Sequence, residues 1–430
     1  MQFDTSNEPP LRTVAWLFFT LGITLHLMLS PEALIALGFP YTATEGPPYA
    51  KFHPGTYCLM LAWFMAATSH GNPVGVLAGQ LARHTLLTSY FACMVLLFFW
   101  SSYRHGMSGT AFIIETLWTP AIAAFVLYLL NLRRHRQIVQ IVVALLVCNA
   151  VVAIGESLTG KLLLPRTFAE EYFRASAFLG HPLSGAGIVV VLLPAITLMP
   201  WPWLVRLTSG ILLALSLFAF GGRASLLIGF VYYGAYALYR LFISVVRGRF
   251  SYLQLTGGSL ALILCLTLVA GVVAITGIGE RFFQTLRWDD SAAVRGRVWE
   301  IFAFLSPTDL WTGIAPAEID HISLRIGLDP RFEAIENFWL YLLMQFGILG
   351  YIPFILGLAF LVALLWRAAT PLMRIAVFVF FMVASTSNSL STKTMSLMLL
   401  TVVVLACPAF RSPLLATCAS RGGYRLRGSD

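Results

Sequence analysis

The fold class this chain predicts is all-α and polytopic: about twelve transmembrane helices with one large loop on the outer side. Three observations predict it. First, 58% of the 430 residues are hydrophobic and only 11% charged, less than half the roughly 25% charge of soluble domains. Second, the apolar residues fall into runs of about 20, the length that crosses the hydrocarbon layer as a helix. They do not alternate over about 10 residues, as barrel strands would. Third, one stretch of mixed polarity, Gly279–Asn337, interrupts the pattern and carries Arg281, Arg287, Arg295, Arg297, Arg325 and Arg331. A long charged connection in such a chain implies that it folds over something.

The chain reads as a single integral domain, 1–430, with the large loop at 278–335 and a basic tail at 410–430. Spans are expected at about 12–29, 56–70, 84–101, 110–130, 138–155, 183–199, 203–220, 224–246, 252–277, 336–366, 372–387 and 393–409. The 56–70 and 372–387 spans are short and interrupted. An even number of spans puts both termini on one side. Arg133, Arg134 and Arg136, then Arg247 and Arg249, then Arg367 and Arg374, and the arginines of the tail all fall on that side, which marks it as cytoplasmic. Glu115 is the main ionisable residue inside a span.

The net charge of +9 would suggest nucleic acid in a soluble protein; here it reflects the basic inner face, and no nucleic-acid partner is expected. The six cysteines lie mostly within apolar segments and none in the loop, so neither disulfides nor a zinc site is predicted. The N-terminus lacks a basic start and a small-residue cleavage site, so the first span is expected to be retained.

Candidate chemistry gathers at the outer mouths of three helices. Phe220-Gly221-Gly222-Arg223-Ala224-Ser225 turns tightly into the eighth span and sets helix-end N–H groups beside Arg223, a recipe for holding an anion. An arginine snorkelling to lipid headgroups would look the same. His181, just before Pro182 of the sixth span, suits contact with a diphosphate or a structural role. Glu336-Asn337 opens the tenth span, where Asn337 is a natural N-cap and Glu336 either favours the positive helix end or accepts a proton.

Within the loop, Val294–Leu305 reads as an amphipathic surface helix with Arg295 and Trp299 one turn apart and Arg297 on another face. Leu310–Pro316 reads as a turn. Glu318, Asp320 and His321 then form a polar cluster, either a general base or a solvated face. No aspartate-rich metal site, Walker loop or dinucleotide fingerprint is present, which argues against cytoplasmic nucleotide chemistry.

These residues resemble the bacterial O-antigen polymerase and O-antigen ligase superfamily, in particular Wzy-type polysaccharide polymerases. The likeness rests on Gly221–Ser225, the Arg-x-x-x-Trp of Arg295–Trp299, Pro307–Ile314 and the Asn-Phe-Trp-Leu-Tyr-Leu-Leu-x-x-x-Gly-Ile-Leu-Gly of Asn337–Gly350. It covers about residues 180–370.

The resemblance implies a C-type glycosyltransferase-like architecture in the bacterial inner (cytoplasmic) membrane, with a periplasmic active site and no cofactor, metal or nucleotide sugar. It implies an undecaprenyl diphosphate-linked oligosaccharide as donor, with a growing polysaccharide, membrane lipid and a chain-length regulator as partners. Arg223 and Arg295 would hold the diphosphate, with Arg297 and His181 beside them and Asn337 and Trp299 in positioning roles. The base is left open between Glu336, His321 and none. Ligases of this group typically carry His-Asn where this chain has Glu336-Asn337, so the expectation leans toward polymerisation of exopolysaccharide, capsule or O-antigen. Ligase-type transfer to lipid A core or another acceptor is the alternative, and a flippase of polyisoprenoid-linked glycan the alternative of another class.

Overall fold

The structure, a computed structural model, describes residues 9–41, 48–106, 110–164, 173–248, 271, 297–327, 335 and 337–410; the described residues are helical, with no strand among them. Among the described residues, six helices are long and apolar enough to cross a membrane: α1 (Pro10–Met28), α5 (Thr85–His105), α7 (Leu132–Thr159), α9 (Trp203–Phe220), α10 (Arg223–Val246) and α13 (Phe338–Ala368). Shorter ones complete the described bundle: α2 (Pro31–Ala36), α3 (Pro54–Thr68), α4 (Pro73–Arg83), α6 (Thr119–Leu129), α8 (Pro182–Leu192), α14 (Pro371–Ala384) and α15 (Ser396–Ala406). By length and composition these helices are consistent with a helical membrane protein. The expected 252–277 span lies outside the described residues, apart from Gly271.

The boundaries move for identifiable reasons. Asn131 caps α7 by accepting from Arg134 N–H, so Arg133, Arg134 and Arg136 ride on the helix and not in a connection. Arg134 then stacks over the Trp16 ring at 4.4 Å. The sixth expected span stops as an α-helix at Leu192 and continues as a 3₁₀ turn, Leu193–Leu198, because Pro194 supplies no N–H. A six-residue π-helix, Ile113–Trp118, precedes α6.

Close backbone approach sets the packing. A Cβ on Gly22 of α1 would lie 2.9 Å from the Gly55 carbonyl of α3, and one on Gly55 2.6 Å from the Gly22 carbonyl. Small residues allow such contacts where lipid gives no hydrophobic drive between helices. Gly350 and Gly357 likewise admit Trp100 and Met94 of α5 against α13. At the centre, α15 is buried at every position from Leu397 to Ala406, as expected of a helix that is apolar all round.

The described part of the loop is folded and docked. Here α11 (Pro307–Thr312) starts with a reciprocal Ser306/Asp309 cap, so the first residues of the predicted turn are helical and the chain turns over 313–315. The following α12 (Pro316–Arg325) places Ile319, Ile322 and Ile326 at helical spacing. With Val298, Ile301 and Ile314 they form a small core seated on Leu340 and Met344 of α13.

The seat depends on Gly347, whose φ of +61° breaks the α13 ladder. The break frees carbonyls that other elements then take: Met344 O by Ile314 N–H (2.9 Å), Gln345 O by His105 Nε2 (2.7 Å) and Phe346 O by Trp100 Nε1 (2.9 Å). Arg104 adds bonds to Thr312 Oγ1 (2.9 Å) and Gly313 O (3.1 Å). A Cβ at position 347 would meet Gly313 N at 2.3 Å and Trp311 O at 2.5 Å. Gly347→Ala is therefore expected to undock the loop, with proteolytic cleavage within 297–327 rising about tenfold or more for a cost of ~1.5–3 kcal/mol.

Candidate functional site

A cavity of about 450 Å³ opens at the loop-side ends of the helices, between the α1–α2 corner, the start of α3, the π-helix before α6, the start of α8 and the segment before α15. Its size falls in the roughly 300–1,000 Å³ range of small-molecule sites. Lys51 and Lys393 line it, two of only three lysines in the chain. So do Glu32, Glu115, Tyr41 and three of the eight histidines, His26, His53 and His181.

Glu115 is 3% exposed. Its Oε1 accepts the His53 backbone N–H at 2.6 Å and its Oε2 the Tyr41 hydroxyl at 3.3 Å. Burial first, and then Glu115, push the Tyr41 phenol well above its ordinary range, so it remains a donor. Lys393 lies three residues before α15, outside the helix, and not at the head of a span starting near 393 as the sequence suggested. Its Nζ donates to Tyr41 O at 2.5 Å and Lys51 O at 2.7 Å and sits 4.0 Å above the Tyr41 ring. Burial lowers it to about 8, with Glu115 opposing and Lys51 assisting.

His53 is locked in one tautomer. Its Nδ1 accepts the Gly55 N–H at 3.0 Å, so Nε2 carries the proton and donates to Leu29 O at 2.7 Å. Burial holds it down to about 4, against the opposing pull of the Leu29 bond. Because that lies below the unfolded value of 6.5, the stability His53 contributes is complete above pH 6.5 and lost as pH falls through about 4. The detergent-solubilised protein is expected to lose about 3 kcal/mol over that window, read as a falling melting temperature. His53→Asn, which keeps a cap acceptor, should flatten the dependence.

A hydroxyl-rich segment, 385–394, links this cavity to the mouth of α13. Thr116 of the π-helix donates to Thr392 O at 2.6 Å and accepts Thr394 N–H at 3.0 Å. At the other end, Trp339 Nε1 donates to Ser385 Oγ at 2.7 Å and Phe338 N–H to Ser387 O at 3.2 Å. Asn337 caps α13 by accepting from Trp339 N–H at 3.0 Å and Leu340 N–H at 3.3 Å.

His181 faces the cavity as the N-cap of α8, its Nδ1 accepting Leu183 N–H at 3.2 Å. Buried α7 side chains fix its approach: Glu156 accepts from Ser176 and Ala177 N–H at 2.8 and 2.9 Å, and Asn149 from Phe178 N–H at 3.2 Å. Ala177 is held at φ +47°, a conformation that a non-glycine residue keeps only under such constraint.

Arg223 begins α10 after left-handed Gly221. The α8 and α10 starts touch, since a Cβ on Gly222 would lie 2.4 Å from Ala186 Cβ. Arg174 packs its stem against Gly221, joining Arg223 at the same mouth.

The other sequence-predicted residues lie elsewhere. Arg297 donates to the Ile326 carbonyl and so ties the loop's own core together. Trp299 is 61% exposed on a 3₁₀ turn, Val298–Phe304, which replaces the predicted amphipathic helix over the described residues. His321 is exposed on α12. Arg295 and Glu336 lie outside the described residues. The cavity residues Lys51, Lys393, Tyr41 and His53 were missed by sequence reasoning, although the scarcity of lysine was a usable signal. No family model matches the chain, and no curated protein matches it.

Proposed function

We propose that this protein polymerises lipid-linked oligosaccharide repeat units of an exopolysaccharide, capsule or O-antigen at the periplasmic face of a bacterial inner membrane. The donor is an undecaprenyl diphosphate-linked glycan, and the architecture is a twelve-span, C-type glycosyltransferase-like one with both termini cytoplasmic. The observation that carries this reading is the polar cavity at the loop-side helix ends of an otherwise apolar bundle, holding two of the chain's three lysines beside carboxylates and imidazoles. Ionisable residues gathered in an apolar bundle pair with one another and mark substrate pathways.

Arg223, at the start of α10 beside α8, meets the donor diphosphate together with helix-end N–H groups. Stabilising that anion makes it a better leaving group. The acceptor hydroxyl is aligned for in-line displacement with inversion at the anomeric carbon. The absence of the ligase histidine before Asn337 favours polymerisation over ligation.

Deleting the gene tests this against transport. A polymerase mutant exports single repeat units to the cell surface, whereas loss of a flippase leaves no glycan outside. Surface glycan of full length in the mutant would overturn the proposal.

A further inference from the structure

Three features converge on one carboxylate that the sequence motifs leave unassigned. Glu115 sits on the π-helix before α6, a local break in regular helix that is frequent at functional sites. It is buried, yet it lines the cavity. Its carboxylate has four acceptor positions, and His53 N–H, the Tyr41 hydroxyl and the Thr56 hydroxyl take three of them. A fourth remains for a hydroxyl arriving from the cavity.

The neighbouring cation does not take that position. Lys393 directs its hydrogen bonds to the Tyr41 and Lys51 carbonyls, so it sets the local field without capping the acid. Two of the three cavity histidines are poor rivals as proton acceptors. His53 has both ring nitrogens committed, and His181 uses Nδ1 in its own helix cap. The rest of the wall suits a polyol: Ser184, Asn388, Thr392 and Thr394 offer hydroxyl and amide groups beside Glu115.

We infer that this cavity seats the acceptor sugar and that Glu115 is the base that receives the proton of its attacking hydroxyl. The assignment rests on the glycosyl-transfer reading above. In the step, the acceptor oxygen forms a bond to the donor's anomeric carbon, and the bond from that carbon to the phosphate oxygen breaks. The electron pair leaves with undecaprenyl diphosphate, and the hydroxyl proton passes to the Glu115 carboxylate and later to water.

The test uses the full-length purified protein. One arm labels the wild type with dicyclohexylcarbodiimide and quantifies the Glu115 adduct by mass spectrometry, with and without free oligosaccharide of one or two repeat units released from the source cell's polysaccharide. The other arm measures transfer by Glu115→Gln. The expected results are about fivefold protection of Glu115 by the oligosaccharide, and transfer by the variant reduced about a hundredfold or more with oligosaccharide binding retained. Polymer formation with no protection and normal transfer by Glu115→Gln would overturn the inference while leaving the polymerase reading intact. Protection without any transfer by the wild type would keep the sugar site, and overturn both the polymerase reading and the base assignment.

Discussion

Arg223→Ala is expected to lower glycan transfer about 100- to 1,000-fold while leaving membrane insertion and folding unchanged. The arginine stands at the first position of α10, where left-handed Gly221 turns the chain and Gly222 brings the helix start against Ala186 of α8. In the proposed reaction it meets charge that grows on the diphosphate as the anomeric bond breaks. Removing one preorganised donor of this kind costs about 3–4 kcal/mol in the transition state. Arg223→Lys keeps the charge but loses the bidentate fork, so an intermediate loss is expected. Arg295→Ala is expected to match Arg223→Ala on the same reading. Transfer by purified variants, beside their thermal unfolding, checks the set; normal transfer by Arg223→Ala would remove it from the donor site.

Lys393→Ala is the largest expected effect on folding. The ammonium group holds the Tyr41 and Lys51 carbonyls at 2.5 and 2.7 Å and lies over the Tyr41 ring. Truncation strips two carbonyls of a charged donor, at ~1–3 kcal/mol each, and removes the cation nearest Glu115. A loss of about 3–5 kcal/mol is expected, read as a lower melting temperature in detergent. Lys393→Met, which keeps most of the stem without the charge, should recover less than half of it. Full stability in Lys393→Met would show that packing, not charge, holds the cavity together.

Hydropathy made the helical membrane class legible, because runs such as those of α7 and α13 are long and almost free of charge. Helix ends were less legible. The α13 break at Gly347 and the 3₁₀ continuation after α8 are local backbone events inside apolar runs, where hydropathy carries no signal. The docking face of the loop was overlooked for the opposite reason. Its charges drew attention to Glu318, Asp320 and His321, whereas Ile319, Ile322 and Ile326 form the face that docks it.

The cavity was the least legible feature, since its lining comes from residues as far apart as His26 and Met395 and only tertiary packing brings them together. Glu115 stood out as an ionisable residue within a span, and His181 as a helix mouth. Nothing local to Tyr41 or His53 marked either as part of a site.

The most direct measurement is incubation of the purified protein with an authentic undecaprenyl diphosphate-linked repeat unit, without nucleotide sugar or added metal, following product length by gel. The account predicts a ladder of lengthening glycan that collapses in Arg223→Ala and Glu115→Gln. No ladder from the folded wild type, but transfer once a lipid A core acceptor is supplied, would contradict it and identify a ligase.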